Sequence, residues 1–343
     1  MQYSLNHSQS DAEQINKLKK ILACDNIQTL TKSGGGNSVV FCVEADGKKW
    51  AVKSYPPYAP AQRDRLAAEL EVYQFLNHQH VPAVPLLKTY SETERWLVMS
   101  WIDGVVPRDD YSESDIDQAL QFIRDIARLN SLPEAAHLPL AAEACLSLNV
   151  LLSQIERRLE NLIALSENEP DLNKFLMKDY YPVFKKFKQQ AIDGYVENDV
   201  CPDSELPLAK RSLIPADFGF HNTIRDSSGK LYFFDFDYFG WDDPVKLLAD
   251  ILWHPKMILT LQQNEKFIQG LSEIYNTDQF FLSRFYYTLP LFGLRWALIL
   301  LNEFVPHFWL NRQYANVHQN QAEAKQTQLK RAKELLTYVQ QLR

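Results

Sequence analysis

The chain of 343 residues is longer than one average hydrophobic core requires, so two lobes or domains are expected. Hydrophobic residues make up 46% and charged residues 23%, as in ordinary soluble enzymes, and the net charge of -7 argues against a nucleic-acid partner held by phosphate contacts. Cys24, Cys42, Cys145 and Cys201 form no C-x-x-C pair, which argues against a zinc site or a disulfide framework.

The first predicted elements are a helix over residues 10–23 and two strands that flank a glycine-rich turn. The turn contains Gly34, Gly35 and Gly36, and the missing Cβ atoms would let backbone N–H groups approach a phosphate. A strand follows this turn, whereas the nucleotide-binding loops of the Walker and Rossmann types open a helix. The alternative interpretation is a flexible hairpin tip.

Lys53 ends the next predicted strand, where its side chain could reach the α- and β-phosphates of a nucleotide. A helix is predicted over residues 63–77, and Glu69 borders the apolar stripe that packs inward. We therefore expect Glu69 to pair with Lys53, with Glu71 as the second choice. The alternatives are an exposed lysine at a strand end and a solvated helix glutamate.

A strand over residues 96–101 ends before the turn at Asp103 and Gly104. This segment would be an interlobe hinge, and the backbone of Ser100 and Ile102 could pair with a purine edge. The predicted lobes are therefore residues 1–103, which carry the glycine-rich turn and Lys53, and residues 104–343.

The second predicted lobe is mostly helical. Its longest apolar stretch, residues 280–305, contains charged residues, Pro290 and Gly293, so it is interpreted as a buried helix and not as a membrane span. Residues 1–16 lack the apolar segment of a secretory signal, and the predicted location is the cytoplasm, with no membrane partner. Helices are predicted over residues 112–132, 141–166, 172–197, 245–253, 265–274, 278–304 and 321–342.

The most informative residues are Asp217, Asn222 and Asp235, which have the order and spacing of a kinase site. Asp217 can accept a hydrogen bond from an acceptor hydroxyl and orient it, which is the role of a catalytic base. Asn222 follows five residues later, and Asp235 follows a short predicted hairpin. An amide oxygen and a carboxylate at these positions could hold Mg²⁺, which favours oxygen ligands.

Each of these residues also has a structural alternative. Asp217 could form an Asx turn before Gly219, and Asp235 and Asp237 could be an acidic pair on an edge strand. Asp237 could also be an additional metal ligand. Asp243 precedes a proline and is expected to cap a helix. His221 and His254 lie in this region and are interpreted mainly as packed or hydrogen-bonded residues.

These segments together resemble the aminoglycoside phosphotransferase and choline kinase superfamily of small-molecule kinases. The matching segments appear in family order: S-G-G-G-N-S from Ser33, A-V-K at Lys53, the helical Glu69, L-V-M-S-W-I-D-G from Leu97, A-D-F-G-F-H-N from Ala216, and F-D-F-D-Y-F-G-W-D-D-P from Phe234.

The resemblance implies a bilobal, protein-kinase-like α+β fold, with a small antiparallel-sheet lobe and a larger helical lobe. It implies ATP, with GTP as an alternative, together with Mg²⁺. In this family Asp217 would be the base, Asn222 and Asp235 the metal ligands, and Lys53 and Glu69 the phosphate-positioning pair. The chain departs from many relatives at Pro215, where they have a histidine, and substrate assignments therefore do not transfer.

The sequence thus predicts a kinase that phosphorylates a hydroxyl of a sugar, an amino sugar or an amino alcohol, as a monomer or a homodimer. The alternative is a nucleotide-binding pseudokinase or scaffold with little turnover, although such a protein would not need Asp217, Asn222 and Asp235 together. A protein kinase is disfavoured because no activation segment is evident between Asp235 and the helix that begins near Pro244.

Overall fold

The structure is a computed structural model, and it describes residues 6–34, 39–56, 63–108, 110–309 and 320–342. Within these residues the chain forms two compact units. The first unit contains residues up to 105 and the segment 224–237, and the second contains 106–223, 238–309 and 320–342. The lobe boundary at residue 103 stays a prediction. The mixed α+β class is confirmed.

The first unit contains a five-stranded antiparallel sheet in the order β1-β2-β3-β5-β4. Asp46 and Gly47 form the turn between β2 and β3 with φ values of +52° and +71°, as the Asp-Gly hairpin signal predicts. The sheet core includes Phe41, Val52 and Val98. The five strands are β1 (Ile27–Gly34), β2 (Val39–Ala45), β3 (Lys48–Ser54), β4 (Leu87–Ser91) and β5 (Trp96–Ser100).

Two helices of this unit are α1 (Asn6–Leu22) and α2 (Arg65–His78). The side chain of Asp64 caps α2 by accepting hydrogen bonds from the N–H groups of Leu66 and Ala67. The buried face of α2 contains Glu69 among apolar residues, which places a carboxylate in the interior of the unit.

A second sheet of the first unit has the order β6-β8-β9, formed by β6 (Gly104–Val105), β8 (Thr223–Asp226) and β9 (Leu231–Phe233). The hairpin of β8 and β9 begins directly after Asn222 and ends two residues before Asp235. In the second unit, β7 (Ser212–Ile214) pairs antiparallel with β10 (Gly240–Asp242).

Helices form most of the second unit. Ser112 caps α3 and Asp243 caps α7, and the sequence pattern predicts both caps. The helices are α3 (Glu113–Arg128), α4 (Leu148–Leu165), α5 (Pro170–Lys174), α6 (Tyr181–Glu197), α7 (Pro244–Trp253), α8 (Leu261–Ile274), α9 (Phe281–Leu300) and α10 (Gln321–Gln341).

Two predicted helix starts are wrong, and one predicted helix is interrupted by a π-helical turn. The helix predicted from residue 141 begins at Leu148, because the side chain of Ser147 caps it. The helix predicted from residue 265 begins at Leu261, after a capping box at Thr260. The helix predicted over 172–197 contains a π-helical turn, Phe175–Tyr180, before Pro182, which has no N–H to continue the α-helical bonding.

Helix α9 confirms that the long apolar stretch is buried, and it continues through Pro290. Its charged residues are paired inside the unit: Arg284 donates to Asp243 at 2.7 Å and Arg295 donates to Glu143 at 2.5 Å. Among the residues that the structure describes, no helix combines the length and the apolar character that a bilayer span requires.

Candidate active site

Asp217 lies in a tight turn that follows β7. Its φ of +66° is in the left-handed region, which few non-glycine residues adopt and which is frequent at functional sites. Gly219 makes the turn possible for a steric reason: a Cβ at this position would lie 2.6 Å from Nδ1 of His221. Its own φ of 172° is ordinary extended backbone. The sequence of the turn therefore brings His221 back against Asp217.

Two histidines face the carboxylate of Asp217. Nε2 of His254 lies 3.3 Å from Oδ1 of Asp217, and Nε2 of His221 lies 3.5 Å from the same oxygen. The two imidazole rings are stacked, with centroids 4.1 Å apart and an interplanar angle of 5°. Sequence reasoning did not place His254 here, because 37 residues separate it from Asp217 and no local pattern marks the contact.

The environment keeps Asp217 ionised. Burial alone would raise the pKa of its carboxyl group, but the adjacent imidazoles of His221 and His254 outweigh this and hold the pKa well below its ordinary value. Burial is also the main reason that the pKa of His254 is lowered. At neutral pH the site therefore contains a carboxylate next to a neutral His254, and this carboxylate can accept a hydrogen bond.

The side-chain amide of Asn222 has a defined orientation. Its Nδ2 donates to the backbone carbonyl of Asp217 at 3.0 Å and lies 3.4 Å from Oδ2 of the same residue. Since a carbonyl oxygen can only accept, the nitrogen must be the end that faces Asp217. The amide oxygen of Asn222 is thereby directed away from this bond, so it can ligate a cation.

Lys53, Glu69 and Asp235 form a second cluster, entirely within the first unit. Nζ of Lys53 lies 2.5 Å from Oε2 of Glu69 and 2.5 Å from Oδ1 of Asp235. Glu69 is fully buried, and Lys53 is nearly so, whereas the side chain of Asp235 is 30% exposed. The structure thus pairs Lys53 with Glu69 and leaves part of Asp235 accessible. Their roles in nucleotide and metal binding stay predictions.

Helix α2 also holds the backbone that follows Asp235. The N–H of Phe236 donates to Oε1 of Glu69 at 3.1 Å, and Arg65 forms an ion pair with the buried Asp237. The hydroxyl of Tyr55 donates to Glu69 as well. Asp235 itself has a φ of +70°, in the left-handed region, as Asp217 does. The contacts of Glu69 and Arg65 hold the residues that follow it. No local sequence pattern indicates the parts played by Arg65 and Tyr55.

Neighbouring charges shift the pKa values of Lys53 and Asp237 in this cluster. Burial lowers the pKa of the Lys53 ammonium, but the carboxylates of Asp235 and Glu69 outweigh burial, and the pKa is raised. Burial, together with the charge of Asp235, raises the pKa of Asp237 to about 7. Oxygens of Glu69, Asp235 and Asp237 lie within 4.8 Å of one another, which is a donor set suited to a hard divalent cation. The exposed part of Asp235 is the accessible portion of this set.

The remaining predicted nucleotide contacts are only partly described. Gly34 is the last residue of β1, while Gly35 and Gly36 lie outside the described residues. The N–H of Ser100, at the end of β5, donates to the carbonyl of Leu86 at 2.8 Å, and Ile102 follows this strand. The participation of these residues in nucleotide binding stays a prediction.

A comparison with models of protein families shows a match to the phosphotransferase enzyme family over residues 28–281. A search of curated protein sequences found no match.

Solved structures of small-molecule kinases are similar to this chain over nearly its full length. A choline/ethanolamine kinase family protein from Mesorhizobium loti is 17% identical, with a TM-score of 0.61 and coverage of 96% of this chain and 98% of that chain. A spectinomycin phosphotransferase in complex with ADP and spectinomycin is 14% identical, with a TM-score of 0.63 and coverage of 96% and 98%. A choline kinase from Streptococcus pneumoniae is 14% identical, with a TM-score of 0.57 and coverage of 96% and 99%. The similarity confirms the predicted protein-kinase-like fold.

Proposed function

Because this chain belongs to the phosphotransferase enzyme family, whose members are small-molecule kinases, we propose that it transfers the γ-phosphoryl group of ATP to a hydroxyl of a small molecule. The observation that carries this proposal is the state of Asp217, an ionised and partly exposed carboxylate held in a left-handed turn. A carboxylate in this state can accept the hydrogen bond of an acceptor hydroxyl and orient its oxygen for attack.

In this proposal Asp217 is the catalytic base. Oδ1 of Asp217 faces the two histidines, so Oδ2 is the oxygen that receives the acceptor hydroxyl. As the acceptor oxygen forms its bond to the γ-phosphorus and the bond to the β-phosphate oxygen breaks, the hydroxyl proton passes to Asp217. Positioning and charge stabilisation account for most of the catalysis, because phosphoryl transfer needs little covalent chemistry from the protein.

Asn222 and Asp235 are the proposed ligands of Mg²⁺. The donor set fits this ion, because the amide orientation leaves the oxygen of Asn222 available and the carboxylate of Asp235 is partly exposed. When bound, Mg²⁺ would neutralise charge on the β- and γ-phosphates. Lys53, held by Glu69, would contact the α- and β-phosphates, and the glycine-rich turn with Ser100 and Ile102 would complete the nucleotide site.

The acceptor is proposed to be a sugar, an amino sugar or an amino alcohol. The supporting relatives include a phosphotransferase solved with spectinomycin and kinases named for choline and ethanolamine. At such low sequence identity the similarity shows a common fold but does not identify the acceptor. A panel of acceptors that covers all three chemical classes is therefore required.

The test combines nucleotide binding with turnover. We expect Mg·ATP to raise the thermal midpoint by several degrees, since a ligand at 100 times its dissociation constant stabilises by about 2.7 kcal/mol. ATP with a chelator should give a smaller shift, and Mg·GTP tests the base preference. ADP release is then measured with spectinomycin, gentamicin, choline, ethanolamine and simple sugars as acceptors.

The matched variant is Asp235→Asn, because asparagine tolerates the left-handed backbone of this position better than alanine does. We expect it to lose the magnesium-dependent part of the shift. Nucleotide binding without transfer to any acceptor or to water would instead favour the pseudokinase alternative.

A further inference from the structure

We propose that His254 is a positioning residue that holds the carboxylate of Asp217 in its catalytic orientation through a hydrogen bond from Nε2. This inference rests on the proposed function, because it assigns a role relative to the proposed base. His254 is the C-cap residue of α7, so its donor group comes from an element separate from the catalytic turn.

The hydrogen bonds of His254 determine which ring nitrogen carries the proton. The backbone N–H of Lys256 donates to Nδ1 at 3.2 Å. A ring nitrogen that accepts a hydrogen bond carries no proton, so the neutral imidazole has its proton on Nε2. Nε2 is the atom that lies 3.3 Å from Oδ1 of Asp217. The contact is therefore an N–H donor facing a carboxylate oxygen.

Packing fixes the plane of the ring. His221 stacks on one face at 4.1 Å, and Trp296 approaches at 4.7 Å with an interplanar angle of 80°. Nε1 of Trp296 donates to Oδ1 of Asp250, one turn before His254 in α7, at 2.8 Å. His254 is 8% exposed at its side chain. Because the ring is enclosed in this way, its Nε2–H group points in a fixed direction towards Asp217.

Asp217, His221 and His254 could alternatively form a metal site, since each offers a ligand atom within 4.8 Å of the others. The proton on Nε2 of His254 argues against this interpretation, because a metal requires a bare ring nitrogen.

The residue two positions before Asp217 cannot make the proposed contact. Pro215 has neither a side-chain donor nor a backbone N–H. The donor that orders Asp217 is supplied by α7 instead. With Oδ1 facing Nε2–H, Oδ2 is the oxygen proposed for the acceptor hydroxyl, and Nδ2 of Asn222 lies 3.4 Å from it.

The first test uses two substitutions in the full chain. His254→Leu removes the donor, while His254→Gln keeps an amide N–H near the position of Nε2. We expect His254→Leu to lower kcat roughly 10-fold or more, the size of a lost hydrogen bond to a charged group, with unchanged affinity for Mg·ATP. His254→Gln should recover most of this loss. His137→Leu, at an exposed histidine, is the matched control.

Several outcomes would overturn the inference. If Asp217→Asn lowers turnover but His254→Leu does not, the positioning role is wrong while the proposed function stands. Equal losses in His254→Leu and His254→Gln would indicate packing and not hydrogen bonding. If Asp217→Asn leaves turnover unchanged, the proposed function itself fails.

A second test does not depend on the acceptor. In the full chain labelled with ¹⁵N-histidine, we expect a proton on Nε2 of His254 at neutral pH, assigned by its loss in His254→Gln. Its resonance should shift in Asp217→Asn. A proton on Nδ1 would contradict the proposed hydrogen bond and would favour the metal-ligand interpretation, which added Zn²⁺ would then test.

Discussion

Oε2 of Glu69 lies 2.5 Å from Nζ of Lys53, and both side chains are buried. A buried ion pair of this kind is strongly destabilising to break, because removal of one partner leaves an uncompensated charge in the interior. We predict that Lys53→Met lowers the free energy of unfolding by about 3–5 kcal/mol. Denaturant unfolding at neutral pH measures this change.

The matched variant is Lys53→Met combined with Glu69→Gln. We expect the double variant to be more stable than Lys53→Met alone, because glutamine removes the unpaired charge and can still bond to Tyr55 and Phe236. Additive losses from the two substitutions would show that the pair is not energetically coupled. Both variants should bind Mg·ATP more weakly than the parent.

The close packing of His221 against Gly219 predicts a steric effect of substitution. In Gly219→Ala the new Cβ would lie 2.6 Å from Nδ1 and 2.7 Å from Cε1 of His221, so the imidazole ring must move. We expect a loss of about 1–3 kcal/mol in unfolding free energy together with lower turnover. Gly47→Asn is the control, because a Cβ added there would have no atom within 4 Å and asparagine tolerates the positive φ of this turn. Equal effects of the two substitutions would contradict the steric argument.

Asp242 predicts a pH dependence of stability. Burial raises its pKa to about 7, although Lys246 and the N–H groups of Cys145 and Asp243 oppose the shift. The folded pKa is higher than that of the unfolded chain, so folding takes up a proton. The stabilisation that the protonated Asp242 gives the folded state is therefore fully present below about pH 4, and it is lost as the pH rises through about 7.

The substitution Asp242→Asn isolates this group. Its amide oxygen can still accept from the N–H groups of Cys145 and Asp243, which donate to Oδ1 at 2.7 Å. The stability of the parent relative to this variant should fall by about 1.4 kcal/mol per pH unit between pH 5 and 7 and then level off. A difference that is independent of pH would contradict the raised pKa.

Local patterns predicted those parts of the fold that local chemistry determines. The Asp46-Gly47 turn, the caps at Ser112 and Asp243, and the inward face of Glu69 follow from rules that act over a few residues. The predicted helix start at residue 265 missed a local signal of this kind, the capping box that Thr260 forms with Gln263.

Contacts between distant segments could not be predicted in this way. His254 faces Asp217 across 37 residues, and Arg65 pairs with Asp237 across 172 residues. A single sequence shows the residue types but not which distant side chains meet. The order and spacing of Asp217, Asn222 and Asp235 indicated a kinase site, but no residue near Pro215 indicated that His254 would lie beside Asp217.

The most direct test of the catalytic role of Asp217 compares the parent with Asp217→Asn. Asparagine tolerates a positive φ, so it fits the backbone of this turn. Mg·ATP affinity and ADP release are measured on the same preparations, with an acceptor from the panel or with water. We predict unchanged Mg·ATP affinity and a loss of turnover of at least about 100-fold, the lower end of general-base effects. Unchanged turnover would contradict the role of Asp217 and with it the proposed mechanism.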